Sequence, residues 1–132
     1  MATTNLTRDT FENTVLENDI VLIDFWAGWC QPCKSFAPIY EKVSDGHPDV
    51  LFGKVDTDAE QELAAQFGIQ SIPTLAVFRE NVLLMNQPGM VPESALSELV
   101  DRVKDLDMDA VRAEIAAAQA ADSDDKKAAN DT

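Results

Sequence analysis

At 132 residues the chain has the length of one domain, large enough for its own core, and its 45% hydrophobic content is ordinary for a globular protein. A net charge of −14 and a pI near 4.1 argue against nucleic acid or an anionic membrane as partner. Seven acidic and three basic side chains fall after residue 106, so −10 remains on residues 1–106 and the acidity is not a property of the end alone.

The first residues, Met1 to Leu6, have neither a basic n-region nor an apolar h-region, so no secretory signal is expected. No stretch approaches transmembrane length. Residues 3–6 predict at best a weak edge strand. Asp9 with Glu12 resembles a capping box, and Phe11, Val15 and Leu16 share a face, which predicts a helix over 9–17. Asn18-Asp19 predicts a turn. Residues 20–25 form a short, β-rich apolar run of the kind buried on both faces of a sheet. Ala27-Gly28 breaks that run, and Pro32 suits the first turn of a helix over 31–44. Phe36, Ile39, Tyr40 and Val43 form its apolar face, and Pro38 should kink it.

Asp45-Gly46-His47-Pro48 is a stop signal and loop, with His47 expected in solvent. Val50 to Val55 reads as a strand. Asp58 can cap a helix that buries Leu63, Ala64 and Phe67 and ends at Gly68 as the C′ residue. Thr74 to Phe78 and Val82 to Asn86 predict a hairpin over Glu80-Asn81. Pro92 opens a helix with Leu96, Leu99, Val100 and Val103 on one face. The order βαβαβαββα predicts an α/β fold, a central mixed sheet with helices on both faces. That domain is expected to occupy residues 1–106. Residues 107–132 form an extension: one helix over about 107–121, capped by Asp107 and striped with Met108, Val111, Ile115 and Ala118, then a disordered acidic tail. A tetratricopeptide repeat needs roughly 34 residues and several copies, more than this extension holds.

Chemistry concentrates in one stretch. Cys30 and Cys33 are the only cysteines, spaced C-x-x-C where the apolar strand gives way to a helix. Without a secretory signal the expected compartment is a reducing cytoplasm, where a lone C-x-x-C is redox-active or metal-binding. A structural zinc site takes four ligands, which two cysteines and one loop histidine do not supply, so no metal is expected. No Gly-x-Gly-x-x-Gly follows a strand, so no nicotinamide or flavin cofactor is expected. At a helix N-terminus Cys30 meets unpaired N–H groups and the positive end of the dipole, which favour its thiolate. Cys33, one turn on and less exposed, becomes the resolving thiol. Asp24 interrupts the apolar strand. Burial there raises a carboxyl pKa, which marks it as functional so close to the cysteines.

Trp26-Ala27-Gly28-Trp29-Cys30-Gln31-Pro32-Cys33-Lys34 resembles the W-A-x-W-C-G-P-C-K active-site motif of the thioredoxin family. Asp24 matches that family's buried Asp, Gly53-Lys54-Val55-Asp56 its third-strand segment, Ile69 to Thr74 its cis-proline loop, and Gly89 its glycine beside the active site. The resemblance covers roughly residues 5 to 106. It implies a thioredoxin fold and a protein-disulfide reductase working through Cys30 and Cys33, with Asp24 and Lys54 assisting proton transfer. It further implies docking of disulfide-containing protein substrates on Trp29, Gln31, Pro32, Ile72, Pro73, Gly89 and Met90. Recharging by an NADPH-dependent thioredoxin reductase and a monomeric, cytoplasmic protein follow from the same resemblance.

Three positions depart from the family pattern. Gln31 replaces the usual Gly, which leaves a general reductant, a specialised reductase and an isomerase all open. Gly28 stands where Glu or Pro is common. Glu80-Asn81 replaces Asn-Gly, and because Glu disfavours positive φ a different turn is expected there. The alternative from another class is an interaction or holdase-like module whose C-terminal extension carries the function.

Overall fold

The computed structural model describes the backbone of residues 2–130 and the side chains of residues 2–121. Three parallel strands come first: β1 (Thr3–Asn5), β2 (Ile20–Trp26) and β3 (Leu51–Asp56). The hairpin of β4 (Thr74–Arg79) and β5 (Val82–Pro88) follows, with β4 antiparallel to β2. The strand order is β1-β3-β2-β4-β5, the mixed sheet that the βαβαβαββα pattern predicts.

Alternation along β2 builds two cores. Ile20 and Leu22 face helices α2 (Gln31–Asp45) and α4 (Glu93–Asp105), where Phe36, Tyr40, Leu96 and Val100 meet them. Val21, Ile23 and Phe25 face α1 (Arg8–Glu17) and α3 (Gln61–Gln66), where Phe11, Val15 and Leu63 close the second layer. By the same period of two, Asp24 falls on the α2 side. Tyr40 fastens α2 to the sheet, because its buried hydroxyl donates to the Gly53 carbonyl at 2.8 Å. Gly53 itself sits where the layers are tightest: a Cβ there would lie 2.6 Å from Leu6 Cδ1.

Several expectations give way to other local caps or to tertiary contacts. Helix α1 starts at Arg8, with Thr7 and Thr10 forming its capping box rather than Asp9 and Glu12. Leu16 is 56% exposed, since α1 turns only Phe11 and Val15 inward. Helix α3 begins at Gln61, later than an Asp58 cap requires; the carboxylate of Asp56 accepts from the Asp58 and Ala59 amides and holds the chain in a turn first. Gly68, at φ +63°, follows the helix as expected. The Glu80-Asn81 turn has φ of +49° and +64°, left-handed at both central positions despite the glutamate. Its geometry is held from outside: the Glu80 amide donates to Asp19 O at 2.7 Å and the Glu80 carboxylate lies 3.5 Å from Arg112. His47 is buried rather than solvated, between Lys104 Nζ at 3.0 Å and Ser97 Oγ at 3.4 Å.

The extension begins with Asp107, whose carboxylate accepts from the Asp109 and Ala110 amides as a cap should. Helix α5 runs over Met108–Asn130, beyond the end expected near residue 121. Alanine, the strongest helix former, recurs between Ala110 and Ala121 and favours the helix over that span. The expected tail involves side chains from 122 onward and residues 131–132, which lie outside the described residues. Met108 is buried and roots α5. Arg79 Nη1 donates to the carbonyls of Val103, Lys104 and Leu106, binding the end of α4 and the residue after it to the sheet.

Tyr40→Phe removes the bond that joins α2 to β3 and leaves the packing unchanged. It should destabilise the domain by about 1 kcal/mol, read as a lower midpoint in urea at unchanged slope.

Candidate active site

The end of β2 and the start of α2 place the two cysteines. Cys30 is the N-cap residue of α2, in extended conformation, and Pro32 lies in the first turn. Cys30 and Cys33 are joined as a disulfide with their Cα atoms 5.2 Å apart. Cys30 Sγ accepts from the Cys33 amide at 3.2 Å and lies 3.7 Å from the carbonyl oxygen of Ile72. The cysteines are 4% and 3% exposed, so accessibility does not separate their roles as the sequence suggests. Position at the helix terminus does.

The Ile72–Pro73 bond is cis, and Pro73 is buried, its carbonyl accepting from the Gly89 amide at 2.8 Å. Gly89 has φ +89°, a conformation open to glycine at little cost. This bond draws the β5–α4 connection against the proline loop, so Ile72, Gly89 and Met90 converge from distant parts of the sequence. Trp29 is 69% exposed and Met90 43%. The Trp29 indole N–H donates to Asp58 at 3.4 Å, which positions the ring over a pocket of about 180 Å³ formed with Ile69, Ser71 and Ile72. Asp58, read from sequence as a helix cap, is thus a site residue; the spacing from Trp29 to Asp58 carries no signal that would reveal the pairing. Gln31 and Pro32 are exposed at the start of α2.

Behind the disulfide, a second pocket of about 170 Å³ is lined by Trp26, Gly28, Cys33, Lys34 and Lys54. Asp24 is 1% exposed and directly opposite Lys54 in the parallel register of β2 and β3. Its Oδ1 has no hydrogen-bond partner among the described residues, and neither does Trp26 Nε1. Lys54 Nζ lies 5.0 Å from the Trp26 ring centroid, a cation–π placement rather than an ion pair with Asp24. Burial pushes the Asp24 carboxyl up to about 7, and the nearby Lys54 charge holds it from rising further. Burial, followed by the charge of Asp24, likewise raises the Tyr40 phenol.

A dithiol pair at a helix N-terminus, faced by a cis-proline loop and backed by a carboxyl that titrates near neutrality, defines the thiol–disulfide oxidoreductases of this fold. The chain belongs to the thioredoxin family: the family model described as Thioredoxin matches residues 2–102. A protein of Streptomyces coelicolor described as "Putative thioredoxin 2" is 53% identical over 119 residues, 90% of this chain and 89% of that one. The thioredoxin of Bacillus subtilis is 40% identical over 103 residues, 77% of this chain and 98% of that one. Among solved structures, a mutant thioredoxin from Halobacterium salinarum superimposes with a TM-score of 0.74 at 30% identity, over 79% of this chain and 92% of that one. The protein is therefore a protein-disulfide oxidoreductase, and the holdase-like alternative is not favoured. Family membership implies disulfide-bearing proteins as substrates and a thioredoxin reductase as partner. No helix among the described residues is long and apolar enough to cross a membrane.

The Asp24 carboxyl couples stability to pH. Between its unfolded value of 3.8 and about 7 the folded protein keeps a proton that the unfolded chain releases, so stability falls as pH rises through that window. Below it both states are protonated and the effect vanishes. Asp24→Asn removes the burden and should stabilise the oxidised protein at pH 8 by up to about 4 kcal/mol. The gain should disappear near pH 3.5; urea titrations of both proteins across pH test this, and a pH-independent gain would contradict the assignment.

Proposed function

We propose that Cys30 is the attacking thiol and Cys33 the resolving thiol in reduction of protein disulfides. The observation that carries the assignment is the Cys30 sulfur at the N-cap of α2, where it accepts the Cys33 amide and meets the positive end of the helix. Both interactions favour thiolate at Cys30. The Cys30 thiolate attacks one sulfur of the substrate disulfide, forming a mixed disulfide and releasing the other substrate sulfur as thiolate. Asp24, in its ionised form, accepts the proton of Cys33, with the Lys54 ammonium nearby to favour that ionised form. The Cys33 thiolate attacks Cys30 Sγ, the Cys30–Cys33 bond closes, and the second substrate thiolate leaves. Two electrons have then passed from the pair to the substrate.

Trp29, Gln31, Pro32, Ile72, Gly89 and Met90 form the docking surface, with Pro73 holding the loop beneath it. The Ile72 carbonyl beside Cys30 Sγ offers a backbone acceptor to an extended substrate segment. The reductase that returns electrons is NADPH-dependent, and the protein acts as a cytoplasmic monomer. Residues 1–106 form the catalytic domain and 107–132 an appendage. The Bacillus subtilis relative supports that division, since nearly all of its length matches only 77% of this chain.

Cys33→Ser should accumulate mixed disulfides through Cys30, and Cys30→Ser should abolish turnover without trapping partners. Trapping by Cys30→Ser alone would reverse the two roles. Resolution of a preformed mixed disulfide should speed up through about pH 7 as Asp24 ionises. Asp24→Asn should slow that step by about tenfold or more at neutral pH; equal rates across pH 6–9, followed by rapid mixing, would reduce Asp24 to a structural role.

A further inference from the structure

A groove of about 340 Å³ runs between β5 and α4. Its lining is largely apolar, with Met85 from the strand, Val91 from the connection, and Ala95 and Leu99 from the helix. Met90 belongs both to this groove and to the exposed rim of the active site. The bond from the Gly89 amide to the Pro73 carbonyl joins the upper end of the groove to the loop that faces the disulfide. The two surfaces are therefore continuous. Strand β5 is also the last in the sheet, paired among the described residues only with β4. Its outer N–H and C=O groups offer an edge to which an extended chain can add.

We propose that this groove receives an extended apolar segment of the substrate protein, adjacent in sequence to the cysteine under attack and running alongside β5. The proposal rests on the docking surface described above and lengthens it. The groove follows α4 from Pro92 to Arg102, about 15 Å of helix. That length accommodates about five residues of extended chain. Alternate side chains of the segment enter the groove, while its backbone pairs with the β5 edge. The two methionines adapt to differing shapes, so the groove selects apolar character rather than a fixed sequence. Glu98 and Arg102 place one charge of each sign at its far end and give no preference for substrate charge.

The test uses synthetic peptides whose single cysteine is a mixed disulfide with thionitrobenzoate, so that reduction releases colour. One set carries about five alternating Val and Leu residues on either side of the cysteine, and the other carries serines there. On one side the apolar peptide should show a KM at least about fivefold lower than its serine counterpart, with kcat little changed. Ala95→Arg, at an exposed helix position outside the reacting groups, puts a long cation into the groove. It should remove that preference and leave reduction of the small disulfide dithionitrobenzoate unchanged. Equal KM for apolar and serine peptides, or a preference that survives Ala95→Arg, overturns the proposal. Trp29→Ala tests the docking surface separately and should raise KM for every peptide. If it does not, that reading fails, while the groove is still judged from the difference between the peptide sets.

Discussion

Strand β2 is covered on both faces, and the rest of the molecule follows from that constraint. A central strand with apolar side chains above and below needs a helical layer on each side. Parallel neighbours need crossover connections, so α1 and α2 must return the chain along opposite faces of the sheet. The start of α2 then lands at the C-terminal end of β2, and Cys30 becomes its N-cap. The placing of the sulfur at a helix N-terminus is thus a consequence of how the sheet is buried. The cysteine pair sits between a strand buried along nearly its whole length and a helix held to the sheet by Tyr40.

Asp24 is the local exception to the apolar character of that strand. An apolar residue in its place would complete the α2-side core that Leu22 and Leu75 begin. The carboxyl instead lacks a partner at Oδ1 among the described residues, and the nearby Lys54 ammonium is held over the face of Trp26. Desolvation dominates the attraction of Lys54, which leaves a group able to give or take a proton near pH 7. A tight ion pair between Asp24 and Lys54 would have driven the value the other way and made the carboxylate a poor base. Separation of the two charges is what keeps that value near 7.

The end of the domain distant from the disulfide is secured by a different device. Arg79 gathers three carbonyls from the close of α4 and the first residues beyond it, while Arg112 reaches back to Glu80 in the hairpin turn. These contacts seat the root of α5 against the sheet, and Met108 adds a buried anchor. The extension leaves the fold at the opposite end from the active site, because β4 and α4 both run away from the proline loop. The disulfide and the start of α5 consequently lie at separate ends of the same hairpin and helix.

The order of elements, the apolar faces, the cysteine pair and the buried Asp24 were legible in the sequence, because each is a matter of period, spacing or a polar residue in an apolar run. Thr7 in place of Asp9 and Asp56 in place of Asp58 were not, because neighbouring polar residues offer competing local caps that spacing does not rank; the left-handed Glu80 was not, because short-range turn rules do not weigh contacts from Asp19 or Arg112. His47 read as a solvent loop for the same reason: Lys104 and Ser97 come from a helix about fifty residues away. Residue order alone shows the chemistry available, two thiols on one helical turn beside a carboxyl in a strand. The setting of that chemistry comes from contacts across the fold: Gly89 bonded to Pro73, Trp29 bound to Asp58, Lys54 over Trp26, and the groove along β5. Those arrangements join segments distant in the chain, and packing of the two layers on the sheet, rather than any local preference, sets the distances between them.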